Sequence, residues 1–291
     1  MKVGFIGLGN MGLPMAKNLV KANFEVIGKN RSKGKEDLFV EAGGKTGMSV
    51  AQMAKELDVI LTCLPLPTDV EAVYFGEEGL IENGHEGLIL VDHSTVAPGL
   101  NNKIADAAQS KGIEFLDAPI SGGNFGAEDG TLTIMVGGKK EIYEKVLPLF
   151  NVMGKNIYHI GETGSGSVVK LINNLMVAFH TQAVSEAVTL GQKMGVDLDL
   201  LFNILDNSYA QSRIYDRHYN SFISKDQFEA GFAIKLLHKD MRLAEEMASG
   251  ANMELPIGGQ LTNILKDAIE NDLGEQDMSA LYVLLNKKLS N

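Results

Sequence analysis

The N-terminal stretch KVGFIGLGNMGLPMA, residues 2–16, decides the fold. It opens with a short apolar run, Lys2–Ile6, that predicts a buried β-strand, and it continues with a pattern that predicts an amphipathic helix. Between the two, GLGNMG places Gly7, Gly9 and Gly12 at the spacing GxGxxG. Glycines at such a turn let the backbone approach a pyrophosphate, which the N-terminus of the helix then stabilises. The stretch therefore predicts the opening strand, turn and helix of a dinucleotide-binding fold.

The first half of the chain repeats this alternation of strand and helix. Amphipathic stretches such as Met15–Lys21 and Asn101–Lys111 separate short apolar runs. Buried strands that alternate with helices are typical of βαβ units and a parallel sheet. We therefore predict an α/β fold class, with a Rossmann doubly wound parallel sheet over residues 1–162. The predicted strands after the first are Phe24–Ile27, Val59–Leu64, Leu88–Val91, Glu114–Leu116, Leu132–Val136 and Ile157–His159.

The second half of the chain shows helical patterns only. Val168–Met194 predicts one long interdomain helix, and Gly195 is placed to cap its C-terminus. The glycine-rich segment GETGSGS, residues 161–167, marks the boundary. We therefore predict an all-α domain over residues 163–291, which would hold the substrate and contacts between subunits. Its other predicted helices are Leu198–Leu205, Ala233–Met247, Ile257–Glu270 and Met278–Lys288.

The composition argues against several classes of function. The formal net charge is −11, and such an acidic chain repels nucleic-acid backbones. No apolar run is long enough for a membrane span, and the six histidines show no metal-ligand spacing. A single cysteine, Cys63, fits a reducing compartment. We therefore expect a cytoplasmic protein with no nucleic-acid, membrane or metal partner.

The end of the second predicted strand bears on the choice of cofactor. An acid at this point would accept the ribose 2′-hydroxyl of NAD, but the chain has Asn30, Arg31 and Ser32 there. The Arg31 guanidinium can pair with a 2′-phosphate and stack on adenine. These residues predict NADP(H), with NAD less favoured. The alternative is that Lys29 and Arg31 belong only to a solvated loop.

The stretch VVKLINNLM, residues 168–176, places one lysine in an apolar run. From the run alone, the favoured interpretation of Lys170 is a side chain whose stem covers the core while its ammonium reaches solvent. Asn174 follows four residues later, hence on the same face of the predicted helix. The run by itself therefore does not assign a chemical role to either residue.

Four segments together resemble the β-hydroxyacid dehydrogenase family, nearly from end to end. They are GFIGLGNMGLPMAKNL at 4–19, DAPISGGNFGAEDGTL at 117–132, GSGSVVKLINN at 164–174 and KLLHKDMRLA at 235–244. Members of this family are NAD(P)-dependent dehydrogenases or reductases of short hydroxy acids and semialdehyde acids. The NRS sequence at 30–32 is most similar to NADPH-using reductases of glyoxylate, succinic semialdehyde and tartronate semialdehyde. The 3-hydroxyisobutyrate dehydrogenases usually carry an acid there.

The resemblance implies roles for individual residues. Lys170 would stabilise and protonate the oxygen that gains charge as hydride arrives, and Asn174 would bind the substrate or hold Lys170. Ser121, Gly122 and Gly123 would bind the substrate carboxylate. Without the resemblance, an ordinary glycine turn explains these residues equally well. Further implied substrate contacts are Thr95, Phe232 and Asp240. The implied cofactor contacts are Gly7, Leu8, Gly9, Asn10, Met11, Gly12, Asn30, Arg31, Ser32, Leu64, Pro65, Thr95 and Lys239.

The expected function is hydride transfer between NADP(H) and a short semialdehyde acid or hydroxy acid. Glyoxylate and the succinic, tartronate and methylmalonate semialdehydes all remain open, with Asn207–Tyr215 and Phe232 expected to set the size of the pocket. Two alternatives also stay open: an NAD-using 3-hydroxyisobutyrate dehydrogenase, and a non-catalytic NADP-binding scaffold. The resemblance further implies a homodimer or homotetramer formed through the helical domain.

Overall fold

The computed structural model describes residues 1–290 and divides the chain into two compact units. The first unit is Met1–Lys170, and the second begins at Leu171. The predicted class, an α/β unit followed by an all-α unit, is confirmed. The boundary lies inside one long helix, Ser165–Lys193, which starts three residues before the predicted Val168. Gly195 has a φ of +75° just beyond this helix, as expected for its predicted capping role.

An eight-stranded sheet forms the centre of the first unit, in the order β2-β1-β3-β4-β5-β7-β6 with β8 beside β7. Its strands are β1 (Lys2–Ile6), β2 (Glu25–Lys29), β3 (Val59–Thr62), β4 (Ile89–Asp92), β5 (Glu114–Asp117), β6 (Ile120–Ser121), β7 (Leu132–Gly137) and β8 (Gly154–Gly161). The helices around it are α1 (Gly12–Lys21), α2 (Lys33–Glu41), α3 (Val50–Glu56), α4 (Pro67–Phe75), α5 (Leu80–Asn83), α6 (Pro98–Gln109), α7 (Gly123–Asp129) and α8 (Lys140–Met153).

The first five strands are parallel, but the sheet as a whole is mixed. β7 pairs antiparallel with both β5 and β6, whereas β8 is parallel to β7. The connection from Ser121 to Leu132 is shorter than the dozen or so residues that a parallel crossover needs, so β7 returns antiparallel to β6. The purely parallel sheet expected from the strand pattern therefore holds only for β1 to β5.

The two faces of the sheet carry separate cores. In β3 and β4, Leu61 and Val91 pack on one face while their neighbours Ile60 and Leu90 pack on the other. Side chains alternate along a strand, so a strand covered by helices on both faces must be apolar at every position. This requirement explains the continuous apolar runs that identified β3 and β4 in the sequence.

The second unit is helical throughout the described residues. Its helices are α9 (Ser165–Lys193), which begins in the first unit, α10 (Leu198–Asp206), α11 (Arg213–Ser221), α12 (Ile234–Gly250), α13 (Pro256–Glu270) and α14 (Leu281–Ser290), with 3₁₀ turns at Ile223–Lys225 and Met278–Ala280. Within residues 1–290, no helix is long and apolar enough to cross a membrane.

A buried carboxylate fixes the start of α12. Asp277 is fully buried, and its two oxygens accept hydrogen bonds of 2.9 and 2.6 Å from the Arg217 guanidinium. The same carboxylate accepts from the backbone N–H groups of Gly231 and Phe232. Pairing with Arg217 offsets the cost of burying this charge. Asp277 therefore holds the segment that leads into α12.

Each unit buries one histidine almost completely. Burial lowers the pKa of His93 to about 4. Burial, reinforced by the neighbouring Arg217 guanidinium, lowers the pKa of His218 to about 3. The neutral rings are held by hydrogen bonds from His93 Nδ1 to the Ala118 carbonyl oxygen and between His218 Nε2 and Thr181 Oγ1.

These histidines predict a loss of stability in mild acid. The unfolded chain protonates histidine near its ordinary pKa of about 6.5, so it binds more protons than the folded chain as the pH falls from there towards 4. The unfolding free energy should therefore decrease through this window. Calorimetric Tm values between about pH 7.5 and pH 4.5 measure the effect.

His93→Asn isolates the contribution of one ring, because asparagine can keep the donor to Ala118 without the titration. The variant should be less stable than wild type at neutral pH and lose less stability on acidification. The comparison with wild type is needed because burial raises the pKa of Asp117. Protonation of Asp117 therefore increases the unfolding free energy as the pH falls, opposite to the effect of the histidines. Identical pH slopes for variant and wild type would contradict the assignment.

Candidate active site

The three glycines of the first turn meet different surroundings. Gly7 has a φ of +98°, and a Cβ there would lie 2.2 Å from the Cys63 carbonyl oxygen. A Cβ on Gly12 would lie 1.9 Å from the Gly7 carbonyl oxygen. A Cβ on Gly9, in contrast, would meet no atom within 4 Å. Packing within the protein therefore explains Gly7 and Gly12, whereas Gly9 leaves open space above the loop.

This open space fits a dinucleotide pyrophosphate. The loop leads into α1, whose N-terminus has no side-chain cap. The first N–H groups of a helix lack partners within the helix, and together with its dipole they attract an anion. The residues present therefore suit the phosphates of a bound dinucleotide.

The end of β2 is tied to the glycine turn by Asn30. Its side-chain oxygen accepts a hydrogen bond of 2.9 Å from the Leu8 N–H, and its amide nitrogen donates to Ser32 Oγ at 2.9 Å. The Arg31 side chain is 92% exposed and lies 3.7 Å from an Asp69 oxygen. Arg31 is thus accessible to a ligand at the surface beside the turn.

Glu36, in the first turn of α2, is an acid close to the end of β2 that was not among the predicted site residues. Its carboxylate accepts a hydrogen bond of 2.8 Å from the Asn30 N–H and lies 3.5 Å from Lys29 Nζ. The acid is therefore already engaged with the backbone and with a lysine at the end of β2. Only the fold of α2 back onto β2 reveals this contact.

The ends of β3 and β4 are joined by a buried hydroxyl network. Ser94 Oγ accepts from the Leu64 N–H at 2.9 Å and donates to Asp92 at 2.6 Å. Thr62 Oγ1 donates to the same Asp92 oxygen at 2.6 Å. The network fixes the backbone that carries Leu64 and Thr95, two of the predicted contacts. Both strands end at the same edge of the sheet as the glycine turn, where open α/β folds bind ligands.

The predicted substrate loop begins at the end of β6. Ser121 is half-buried, and Gly122 and Gly123 are exposed with φ values of +142° and +62°. Two successive glycines in this region of φ allow a backbone path that other residues rarely take. Exposed backbone N–H groups beside a serine hydroxyl are suited to binding a carboxylate.

The burial pattern on α9 departs from what the apolar run suggested, although Leu171 is buried as expected. Lys170 is only 8% exposed, whereas Ile172 and Met176 on the same helix are 49% and 48% exposed. A snorkelling lysine would leave its ammonium in water and cover apolar neighbours. The structure therefore contradicts the interpretation of Lys170 favoured from the run alone.

In the second unit, three predicted residues form one polar cluster. Asn174 Nδ2 donates a hydrogen bond of 2.6 Å to Asp240 Oδ2, and Lys239 Nζ lies 2.9 Å from Asp240 Oδ1. Asn174 is 2% exposed and Asp240 is 3% exposed. The carboxylate of Asp240 thus orients both the amide and the lysine. The contact with Asn174 could not be predicted, because the two residues lie 66 positions apart in the chain.

The residues expected to set the pocket size, Phe232 and Asn207–Tyr215, lie outside this polar cluster. Phe232 is half-buried, and its N–H is held by Asp277 at 2.9 Å. The segment Asn207–Tyr215 crosses from the end of α10 into α11, with Tyr209 fully exposed and Tyr215 buried. Within residues 1–290, no cluster of His, Cys, Asp and Glu is arranged to hold a metal ion.

The glycine turn between β1 and α1, at the carboxyl edge of parallel strands, is typical of a dinucleotide-binding protein of the Rossmann class. Residues 2–161 match the family model for the NAD binding domain of 6-phosphogluconate dehydrogenase. Residues 164–285 match the model described as NAD-binding of NADP-dependent 3-hydroxyisobutyrate dehydrogenase. With both matches covering most of its length, the chain belongs to the β-hydroxyacid dehydrogenase family.

Individual relatives agree with this assignment. The chain is 39% identical to 2-(hydroxymethyl)glutarate dehydrogenase from Eubacterium barkeri, over 97% of this chain and 93% of the relative. It is 36% identical to 2-hydroxy-3-oxopropionate reductase from Escherichia coli, over the full length of both. The solved structure of Mycobacterium tuberculosis 3-hydroxyisobutyrate dehydrogenase with L-serine has a TM-score of 0.88 and 28% identity, covering 98% of each chain.

The contrast between the glycines predicts opposite results for two substitutions. Gly9→Val places a side chain in the open space without meeting protein atoms, so the Tm should stay nearly unchanged. The affinity for the dinucleotide should fall, because overpacking costs about 1–3 kcal/mol. Calorimetry and cofactor-fluorescence titration measure the two quantities.

Gly12→Val is the matched control, because its side chain would collide with the Gly7 carbonyl. It should lower the Tm strongly. If Gly9→Val binds dinucleotide as tightly as wild type, the glycine turn is not where the pyrophosphate lies.

Proposed function

We propose that this protein is an oxidoreductase that transfers hydride between NADP(H) and a short semialdehyde acid or hydroxy acid. The observation that carries the proposal is the burial of Lys170, on the helix that also presents Asn174. Burying an ammonium costs free energy, so a lysine kept at a buried helix position is a candidate for a chemical role. An acid that stabilises and protonates a carbonyl oxygen during hydride transfer is such a role.

The proposed reaction divides the work among residues already described. The nicotinamide, when bound, supplies the hydride that reduces the carbonyl carbon. Lys170 donates a hydrogen bond to the carbonyl oxygen and transfers its proton as the alkoxide develops, and solvent then reprotonates the lysine. The Ser121 hydroxyl and the N–H groups of Gly122 and Gly123 hold the substrate carboxylate. Asn174, oriented by Asp240, hydrogen-bonds the substrate next to Lys170.

We assign most of the cofactor contacts to residues 1–162, and the catalytic lysine, further substrate contacts and the subunit contacts to residues 163–291. The assigned cofactor contacts are Gly7, Leu8, Gly9, Asn10, Met11, Gly12, Asn30, Arg31, Ser32, Leu64, Pro65, Thr95 and Lys239. Thr95 faces both ligands in this assignment, and Phe232 and Asp240 border the substrate. The same proposal includes a cytoplasmic homodimer or homotetramer.

NADP(H) is proposed over NAD because of charge at the end of β2. Arg31 is exposed there, with one contact of 3.7 Å to Asp69, and residues 30–32 carry no acid. The nearby acid, Glu36, accepts a hydrogen bond from the Asn30 N–H and lies beside Lys29. Glu36 is therefore engaged elsewhere, and a 2′-phosphate at Arg31 would compete only with the exposed contact to Asp69, a kind of ion pair that contributes little.

The substrate class rests on the relatives as much as on the residues. Relatives act, by name, on 2-(hydroxymethyl)glutarate, 2-hydroxy-3-oxopropionate and 3-hydroxyisobutyrate. Each is a short carboxylate whose reacting carbon bears a hydroxyl or a carbonyl. Glyoxylate and the succinic, tartronate and methylmalonate semialdehydes share this pattern. We propose that the substrate belongs to this class.

A panel assay tests the activity directly. The protein is mixed with NADPH and each of these acids, and with NADP⁺ and 2-(hydroxymethyl)glutarate or 3-hydroxyisobutyrate, while absorbance of the reduced cofactor is followed. Turnover on at least one acid is expected. Tight NADPH binding with no turnover on any acid would instead favour a non-catalytic scaffold.

Lys170→Ala should reduce kcat by about 10²–10⁴-fold, the usual contribution of a positioned general acid. The Kd for NADPH should stay nearly constant, because the lysine is assigned to the substrate. Lys193→Ala, an exposed lysine on the same helix, is the matched control and should behave as wild type. A Lys170→Ala enzyme that keeps most of its kcat would exclude the proposed role.

Arg31→Asp should shift the cofactor preference towards NAD. Loss of one charge-assisted contact, worth about 1.5–3 kcal/mol, should raise the Kd for NADPH about 10- to 100-fold and leave that for NADH little changed. Lys21→Asp in the last turn of α1 makes the same change of charge and serves as control. Unchanged NADPH affinity in the Arg31 variant would reject the phosphate contact and favour an NAD-using 3-hydroxyisobutyrate dehydrogenase.

A further inference from the structure

We infer that Asp117 is a positioning residue that holds the turn carrying Lys170 and the loop carrying Ser121 in their working arrangement. The inference rests on the proposed function, because it gives Asp117 a role in that reaction. Asp117 itself contacts neither ligand in this account. Its effect is transmitted through the backbone of the first turn of α9.

The contacts of Asp117 lie at the start of α9. The side chain is 1% exposed at the end of β5. Its Oδ1 accepts a hydrogen bond of 2.7 Å from the Gly164 N–H, and its Oδ2 accepts one of 2.9 Å from the Ser167 N–H. N–H groups at a helix start have no partner within the helix, and a carboxylate is favourable there because of the helix dipole. Asp117 therefore caps α9 from a distant strand.

Two glycines leave the space that this carboxylate occupies. A Cβ on Gly137 would lie 2.4 Å from Asp117 Oδ1. A Cβ on Gly166 would lie 2.9 Å from Asp117 Oδ2 and 2.3 Å from the Met135 carbonyl oxygen. Either side chain would displace the carboxylate. The chain thus keeps both positions small around one buried charge.

Ser167 is also held from its other side. Its hydroxyl accepts a hydrogen bond of 2.7 Å from Asn101 Nδ2, and both residues are fully buried. The backbone and the side chain of Ser167 are therefore fixed by two different elements, β5 and α6. Lys170 follows three residues later, about one turn along the helix. The orientation of that turn thus depends on these two contacts.

The chain that follows Asp117 leads to the predicted substrate loop. Ala118, the next residue after Asp117, accepts the hydrogen bond from His93, so the backbone leaving β5 is fixed. β6 begins two residues later, at Ile120, and ends at Ser121. One carboxylate therefore connects the two segments assigned to the reacting carbonyl and to the substrate carboxylate.

Stability alone does not explain why this group is charged. Burial raises the pKa of Asp117, although the N–H donors of Gly164 and Ser167 act in the opposite direction. A neutral group of the same shape would avoid part of this desolvation cost. The two N–H groups bind different oxygens of Asp117, however, and asparagine would present its NH₂ group to one of them. The charge is therefore tied to the double contact with α9.

Asp117→Asn in the full-length protein is the direct test, on whichever acid the wild type turns over. Misplacing a catalytic group by about 1 Å can cost 10²-fold, so we expect kcat to fall about 10- to 100-fold. The Kd for NADPH should remain nearly unchanged. Val146→Ala, a core truncation in α8 away from α9, supplies a variant of lowered Tm that should keep its kcat.

A second pair of variants removes one N–H without changing Asp117. Ser167→Pro deletes the donor to Oδ2 in the first turn of α9, where proline is tolerated. Ser167→Ala deletes only the hydroxyl that meets Asn101. The proline variant should therefore have a lower kcat than the alanine variant, at similar NADPH affinity. This comparison stands even if Asp117→Asn yields no folded protein.

Hydrogen exchange provides a readout that needs no substrate. Amides at residues 164–170 should exchange faster in Asp117→Asn than in wild type or Val146→Ala. Unchanged exchange there, or a kcat close to wild type in both Asp117→Asn and Ser167→Pro, would overturn the inference while leaving the proposed function intact. Faster exchange in a protein that turns over none of the acids would reject the proposed function but keep the capping contact.

Discussion

The burial of one ammonium in α9 is the constraint on which the account depends. Desolvating a lysine is unfavourable, and a chain that only needed a helix here would expose Lys170 and bury Ile172 and Met176. The opposite burial is observed. The buried side of this part of α9 therefore includes the lysine together with Leu171, whereas Ile172 and Met176 are exposed. The other features of the site hold that orientation.

The sheet provides a fixed edge for this purpose. β1, β3 and β4 end side by side, so the ladder of backbone hydrogen bonds presents the glycine turn, Leu64 and Thr95 at one edge. β5 ends at the same edge with Asp117. The Asp117 carboxylate accepts hydrogen bonds from the first turn of α9 and so fixes the start of that helix relative to the sheet. Rigid strands and a distant helix cap thus place side chains that lie far apart in the sequence.

The sequence allowed the fold class and most elements to be predicted because buried parallel strands and long helices have clear periodicities. It could not show the true start of α9, because GETGSGS has the composition of a loop and its cap comes from Asp117. The antiparallel direction of β7 was missed because the two-residue strand β6 has no recognisable pattern, and without it the connection from Leu116 to Leu132 is long enough for a parallel crossover. Among the site residues, GxGxxG identified the turn, but only packing separates Gly9 from Gly12.

A crystal structure of the wild-type protein with NADP⁺ and the hydroxy-acid product of an active substrate would test the central claim most directly. The account predicts Lys170 Nζ within about 2.6–3.2 Å of the product hydroxyl oxygen, with the adjacent carbon facing the nicotinamide ring. A complex in which Nζ points away and another group contacts that oxygen would contradict it.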